Sequence, residues 1–174
     1  MGEAEKPGLA RVVADAIFGV GSGIASAVYG TIVVMATIAV GYASQTHPWT
    51  LAMLVSTTAL VLWLAHLYAH GLSESITQRE RFVNVDLGSI ARREVGILLA
   101  AVAPVLALLL GAVGALDETA AVWLALGLGL ITLGVEGVRY SRLRDLGRAA
   151  TVLAVSANIA LGLLVVLLKA VIAH

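Results

Sequence analysis

His66 and His70 are the side chains of this sequence best suited to chemistry, because they lie four residues apart in one apolar stretch. Side chains at positions i and i+4 of a helix project side by side, so a helix would offer both imidazoles to one metal ion. Glu74 or Glu136 would add an oxygen ligand suited to a divalent transition metal. The same groups would also pass protons, because histidine titrates near neutral pH and apolar surroundings raise the pKa of a carboxyl group. Metal binding and proton transfer are both open interpretations.

Each of these residues also has a structural explanation. His70 and Glu74 would lie at the level of the lipid headgroups, with His66 one turn deeper and bonded to a neighbouring helix. Glu136 precedes Arg139 by three residues, which is the spacing of an ion pair on one helix face.

Asn158 is a polar residue in the last apolar stretch, roughly 13 Å from its inner end at 1.5 Å per residue. An amide at this depth either lies deep in an ion pathway or bonds to a neighbouring helix whether or not an ion passes. The sequence gives five candidates for an ion pathway, which are His66, His70, Glu74, Glu136 and Asn158. His66 and His70 are also the candidate metal ligands.

The composition around these residues is that of a membrane protein. The 174 residues are 60% hydrophobic and 13% charged, with a mean hydropathy of +0.97, whereas soluble domains carry about 25% charged residues. The net charge is zero and no basic stripe is present, which argues against a nucleic-acid partner. The absence of cysteine excludes disulfides and thiolate metal sites. The partner implied by composition is the lipid bilayer, and no cofactor motif is present.

Five apolar stretches are long enough to cross a hydrocarbon core of about 30 Å as helices. They are residues 22–44, 48–70, 95–116, 119–138 and 149–173. We therefore predict an all-α polytopic bundle with five transmembrane helices in a single membrane domain over residues 1–174. A short interfacial amphipathic helix at residues 8–20 precedes the first span, and residues 71–94 form a cytoplasmic loop.

The distribution of basic residues predicts the orientation of the bundle. Ten of the eleven Lys and Arg residues flank the spans on one side, and the turns on the other side contain none. Because basic residues favour the cytoplasmic side, the N-terminus is expected inside and the C-terminus outside. Arginine outnumbers lysine by nine to two beside abundant Ala, Val, Leu and Gly, a bias that GC-rich coding would produce. We therefore expect a bacterial source, and with it a location in the bacterial cytoplasmic membrane.

Small residues recur on the faces of several spans, where they let neighbouring helices approach closely. The candidates for helix packing are Ser22, Ser26, Gly30, Gly127 and Gly134. The third span has no comparable polar stripe and contains Pro104, which should kink it. We expect this span to face lipid more than the others do.

Two segments, VYGTIVVMATIAV from Val28 to Val40 and LWLAHLYAH from Leu62 to His70, resemble those of small uncharacterised integral membrane proteins of actinobacteria. The resemblance covers the first two spans. It implies a multi-pass bacterial membrane protein and brings no activity with it.

Three functions fit these observations. The favoured hypothesis is an oligomeric channel or transporter for protons or small cations, because ionisable groups inside a membrane converge on one side. Five short helices leave little room for a conduit, so this hypothesis implies a homo-oligomer. The alternative is a non-catalytic accessory or structural subunit that packs against a protein partner. The third is a metal-dependent membrane enzyme, which we place last because no nucleophile and base are apparent.

Overall fold

The computed structural model describes residues 22–44, 47–79 and 81–172, which form six α-helices and one 3₁₀ turn. The helices are α1 (Ser22–Ala43), α2 (Pro48–Gln78), α3 (Leu87–Glu94), α4 (Gly96–Ala112), α5 (Glu118–Leu143) and α6 (Arg148–Ile172), with the turn at Phe82–Asn84. The described residues contain no strand, so the all-α prediction is confirmed for them. The interfacial helix predicted at residues 8–20 lies outside the described residues.

Four helices of the described chain, α1, α2, α5 and α6, are long and apolar enough to cross a membrane. The remaining candidate span is a pair, α3 and α4, that meets at a bend of 40° at Val95. Helix α4 alone has 17 residues, or about 26 Å at 1.5 Å per residue, which is shorter than a typical hydrocarbon core. The structure therefore has four candidate spans, or five when the bent pair is counted as one.

Polar side chains fix where several helices begin. The Asp117 carboxylate accepts hydrogen bonds from the backbone N–H groups of Thr119 and Ala120 at the start of α5. His47 Nδ1 accepts from the backbone N–H of Trp49 at the start of α2, and Pro48 occupies the first helical position. These caps satisfy donors that have no partner inside the helix.

The predicted loop at residues 71–94 is more ordered than its composition suggested. Helix α2 continues to Gln78 and ends at Arg79, which adopts a left-handed conformation with φ of 56°. Helix α3 then begins after Asp86, whose carboxylate accepts from the backbone N–H of Ser89. Polar residues are unfavourable in lipid, but they do not prevent helix formation. The helices therefore continue beyond the apolar part of the bundle in this segment.

The expectation that the third span faces lipid more than the others do is wrong, because eight of the 17 residues of α4 are buried, whereas α2 and α6 are mostly exposed. Helix α4 packs against α1, α2 and α5. Its buried residues are Gly96, Ile97, Ala100, Ala101, Pro104, Ala107, Leu108 and Gly111. Most of them are small, so neighbouring backbones can approach α4 closely. The helix is continuous through Pro104, and the break in the pair lies instead at Val95.

Helices α2 and α6 form the outer part of the described bundle. In an apolar 18-residue segment of each helix, 6% of α6 and 22% of α2 are buried, compared with 50% of α1 and 44% of α5. The centre is a cluster of apolar side chains contributed by α1, α2, α4 and α5. Its fully buried large members include Met35, Ile38, Leu51, Val55, Leu108, Leu126 and Leu133. The centre of the described bundle is therefore filled by apolar side chains.

Candidate functional site

Glu94, the last residue of α3, is the centre of a polar cluster between α1, α2 and α3. The residue is 6% exposed, and its Oε2 accepts a hydrogen bond of 2.6 Å from Ser26 Oγ of α1. Its Oε1 lies 3.8 Å from His70 Nδ1 of α2. We call Ser26, Tyr29, His66, His70 and Glu94 the histidine–glutamate cluster. A nearly buried carboxyl group thus has one hydroxyl donor and one titratable neighbour.

The bend between α3 and α4 holds Glu94 against α1. At Gly96, a Cβ atom would lie 2.8 Å from the Gly23 carbonyl oxygen and 3.0 Å from the Ala27 nitrogen, so the two backbones are in contact there. On the other side, Trp63 Nε1 of α2 donates to the Ala91 carbonyl oxygen at 3.3 Å. Helix α3 is therefore fixed by both neighbours.

His70 connects the buried carboxyl group with the surface, and His66 stacks on His70. The side chain of His70 is 50% exposed, and an open polar groove beside it is lined also by Glu74, Ile90 and Arg93. The rings of His66 and His70 stack with their centroids 6.1 Å apart, and the His66 ring lies 5.1 Å from that of Tyr29. The cluster therefore brings imidazole, carboxyl and hydroxyl groups together between α1, α2 and α3.

The cluster does not resemble a metal site. His66 Nδ1 lies 3.0 Å from the Leu62 carbonyl oxygen of its own helix, so the bond that we expected to a neighbouring helix is replaced by a local one. Within the described ranges, no group of three His, Asp or Glu side chains converges as a metal ion would require. A protein zinc site uses at least three such ligands, so the two histidines alone do not form one.

Of the other candidates for an ion pathway, Glu74 lies beside His70, in the groove that both residues line. Glu74 Oε1 accepts from Gln78 Nε2 at 2.8 Å, on the exposed end of α2. Glu136 of α5 binds Arg139 Nη1 through both carboxylate oxygens, at 2.7 and 2.9 Å. This is the ion pair that the spacing in the sequence predicted as the structural alternative.

Asn158 makes a bond between helices. Its Nδ2 donates to the Leu133 carbonyl oxygen of α5 at 3.1 Å. The structure thus brings His66 and His70 together, while Glu136 and Asn158 belong to the contact between α5 and α6.

The predicted packing residues differ in their surroundings. A Cβ atom at Gly30 would lie 2.8 Å from Ile97 Cα, so α1 and α4 touch there. At Gly134 the nearest atom would be Ile159 Cδ1 at 3.8 Å, and at Gly127 nothing lies within 4 Å. Ser26 belongs to the histidine–glutamate cluster, and the side chain of Ser22 lies outside the described part of the structure.

Glu94 was absent from the candidates that the sequence suggested. It follows Arg92 and Arg93 directly and precedes the third apolar stretch, so it was assigned to the end of a charged loop. Gly96, two residues after Glu94, could have indicated this position. A small residue at the end of a span permits close contact with a neighbouring helix, and such a contact brings nearby side chains into the bundle.

No protein family, curated protein or solved structure was found to match this chain.

Proposed function

We propose that this chain is a multi-pass protein of the bacterial cytoplasmic membrane that moves protons or small cations as a homo-oligomer. The observation that carries the proposal is the nearly buried Glu94 carboxyl group between Ser26 and the exposed His70. Ionisable groups placed at the level of membrane helices commonly mark ion or proton pathways. The charged flanks favour a cytoplasmic position for this cluster, with the N-terminus inside and the C-terminus outside.

The apolar centre of the protomer favours an assembly of several copies. Because the central layer is filled by side chains such as Met35, Leu108 and Leu133, a path for ions would run between protomers. The weakly buried helix α2 is suited to line it, since its exposed or half-buried side chains include Ser56, His66 and His70. Cyclic symmetry would repeat this face around one axis.

The proposal is tested by measuring ion flux into proteoliposomes with dyes that report protons and potassium. Glu94→Gln keeps the size of the side chain and an oxygen that accepts from Ser26, but it removes the titrating group. We expect flux in the wild type and a fall to the level of empty vesicles in Glu94→Gln and in the double variant His66→Ala, His70→Ala.

A matched control is Glu118→Gln. Glu118 also lies beside a histidine, with Oε1 at 3.4 Å from His47 Nε2, but both side chains are more than half exposed. We expect this variant to retain flux. Equal flux in Glu94→Gln and the wild type would place the path elsewhere. No flux in folded wild-type protein, or a strictly monomeric state, would favour the accessory-subunit hypothesis.

A further inference from the structure

An open groove of about 560 Å³ lies along α5 beside α6, at a distance from the histidine–glutamate cluster along the chain. One end is charged and the rest is apolar. Its lining residues are Ile131, Gly134, Val135, Glu136, Val138, Arg139, Arg142 and Val155. From Ile131 to Arg142 the helix rises about 16 Å at 1.5 Å per residue, so the groove is long and has unlike ends.

The charged end is lined by two arginines, Arg139 and Arg142, and one glutamate, Glu136. Glu136 binds Arg139 through its Nη1 atom and so holds that guanidinium in place, with the Arg139 side chain 16% exposed. Arg142 lies three residues farther along and is exposed. Planar guanidinium groups match the oxygens of a phosphate group.

The apolar part offers a surface for hydrocarbon. Ile131 and Val135 are 64% and 51% exposed, one turn apart on the same face. Gly134 leaves the floor between them without a side chain, and a Cβ atom there would meet only Ile159 Cδ1 at 3.8 Å. An apolar surface that leads from two arginines toward the middle of a span fits a molecule with an anionic head and an apolar tail.

We propose that this groove binds an anionic phospholipid, with its phosphate at Arg139 and Arg142 and one acyl chain along Ile131, Gly134 and Val135. Basic pockets between membrane helices on the cytoplasmic side bind anionic headgroups. The site is separate from the proposed ion pathway, so either proposal can fail without the other.

Native mass spectrometry of the purified protein in an uncharged detergent tests the site, with phosphatidylglycerol and phosphatidylcholine as probes. The wild type should retain phosphatidylglycerol preferentially. Arg142→Gln should bind it about five-fold more weakly, which corresponds to about 1 kcal/mol for one arginine near an anionic surface. The control is Arg144→Gln, since Arg144 is also exposed at the end of α5 but does not line the groove.

A second variant and a second probe test the acyl-chain part. Gly134→Leu fills the groove without touching an arginine and should also weaken binding. Glycerophosphoglycerol, which has the headgroup without acyl chains, should not displace the lipid at equal concentration. Equal losses in Arg142→Gln and Arg144→Gln would reduce the effect to general charge attraction and overturn the proposal. Full retention of lipid by Gly134→Leu, or displacement by the soluble headgroup, would overturn it as well.

Discussion

Replacing Gly30 by leucine is expected to prevent α1 and α4 from packing in their observed positions. A Cβ atom at this residue would lie 2.8 Å from Ile97 Cα and 3.1 Å from the Ile97 carbonyl oxygen, which are backbone atoms. Overpacking in a core costs about 1–3 kcal/mol, and the cost should lie at the upper end because α4 is also held by α2 and α5. A thermal unfolding curve in detergent, read beside the size-exclusion profile, measures the effect.

The matched control is Gly127→Leu on α5, where a Cβ atom would meet nothing within 4 Å. This variant should unfold at the temperature of the wild type. Equal destabilisation by both substitutions would show that the added bulk of a leucine at any glycine of the bundle, rather than the contact with Ile97, causes the loss, because helix propensity favours leucine over glycine. If Gly127→Leu leaves the chain folded but dissociates the proposed homo-oligomer, Gly127 belongs to a contact between protomers. The control therefore also tests the proposed assembly.

The positions of the helices were predictable because apolar length is a strong signal. A chain in lipid has to satisfy its backbone within each segment, so every long apolar stretch had to be helical. The starts of α2 and α5 at Pro48 and Glu118 lie within one residue of the predicted spans. The ends were less predictable, since α2 runs to Gln78 and α5 to Leu143 through polar residues, and apolar length gives no information there.

The burial of each span was not predictable from hydropathy. In lipid both the interior and the exterior of a bundle are apolar, so hydropathy does not show which face of a uniformly apolar helix is buried. Helix α4 was assigned to the lipid for this reason. The informative pattern was the spacing of Gly96, Ala100, Pro104 and Gly111, which are small or unbranched residues on the face that is buried.

The same reasoning explains the outcome at the candidate site. The spacing of His66 and His70 predicted that their rings would lie side by side, and the rings are stacked. Their partner Glu94 is 24 residues away in sequence from His70. It reaches the cluster only because α3 packs back against α2 and the chain bends between α3 and α4 at Val95. Such a contact depends on tertiary structure and leaves no periodic signal.

Replacing Arg139 by leucine is expected to be among the most destabilising substitutions at the contact between α5 and α6. The Glu136 side chain is 7% exposed and binds Arg139 Nη1 through both oxygens. Removing one partner of a buried ion pair leaves an uncompensated charge and typically costs about 3–5 kcal/mol. We expect a correspondingly lower unfolding temperature in an uncharged detergent, a condition that separates this effect from lipid binding. Arg142→Leu, on the same helix but exposed, should change stability by only about 0.5 kcal/mol.

The double variant Glu136→Leu, Arg139→Leu distinguishes an ion pair from general packing. Because a buried pair is costly to desolvate, replacing both partners by apolar residues of similar volume is often neutral or stabilising. The double variant should therefore recover most of the stability that Arg139→Leu loses. The single variant Glu136→Leu completes the comparison. If the double variant loses as much stability as Glu136→Leu and Arg139→Leu lose together, each side chain contributes through its own packing. Recovery in the double variant, with the ion flux of the proteoliposomes unchanged, would assign Glu136 to the structure of the bundle and leave the histidine–glutamate cluster as the proposed site of proton binding.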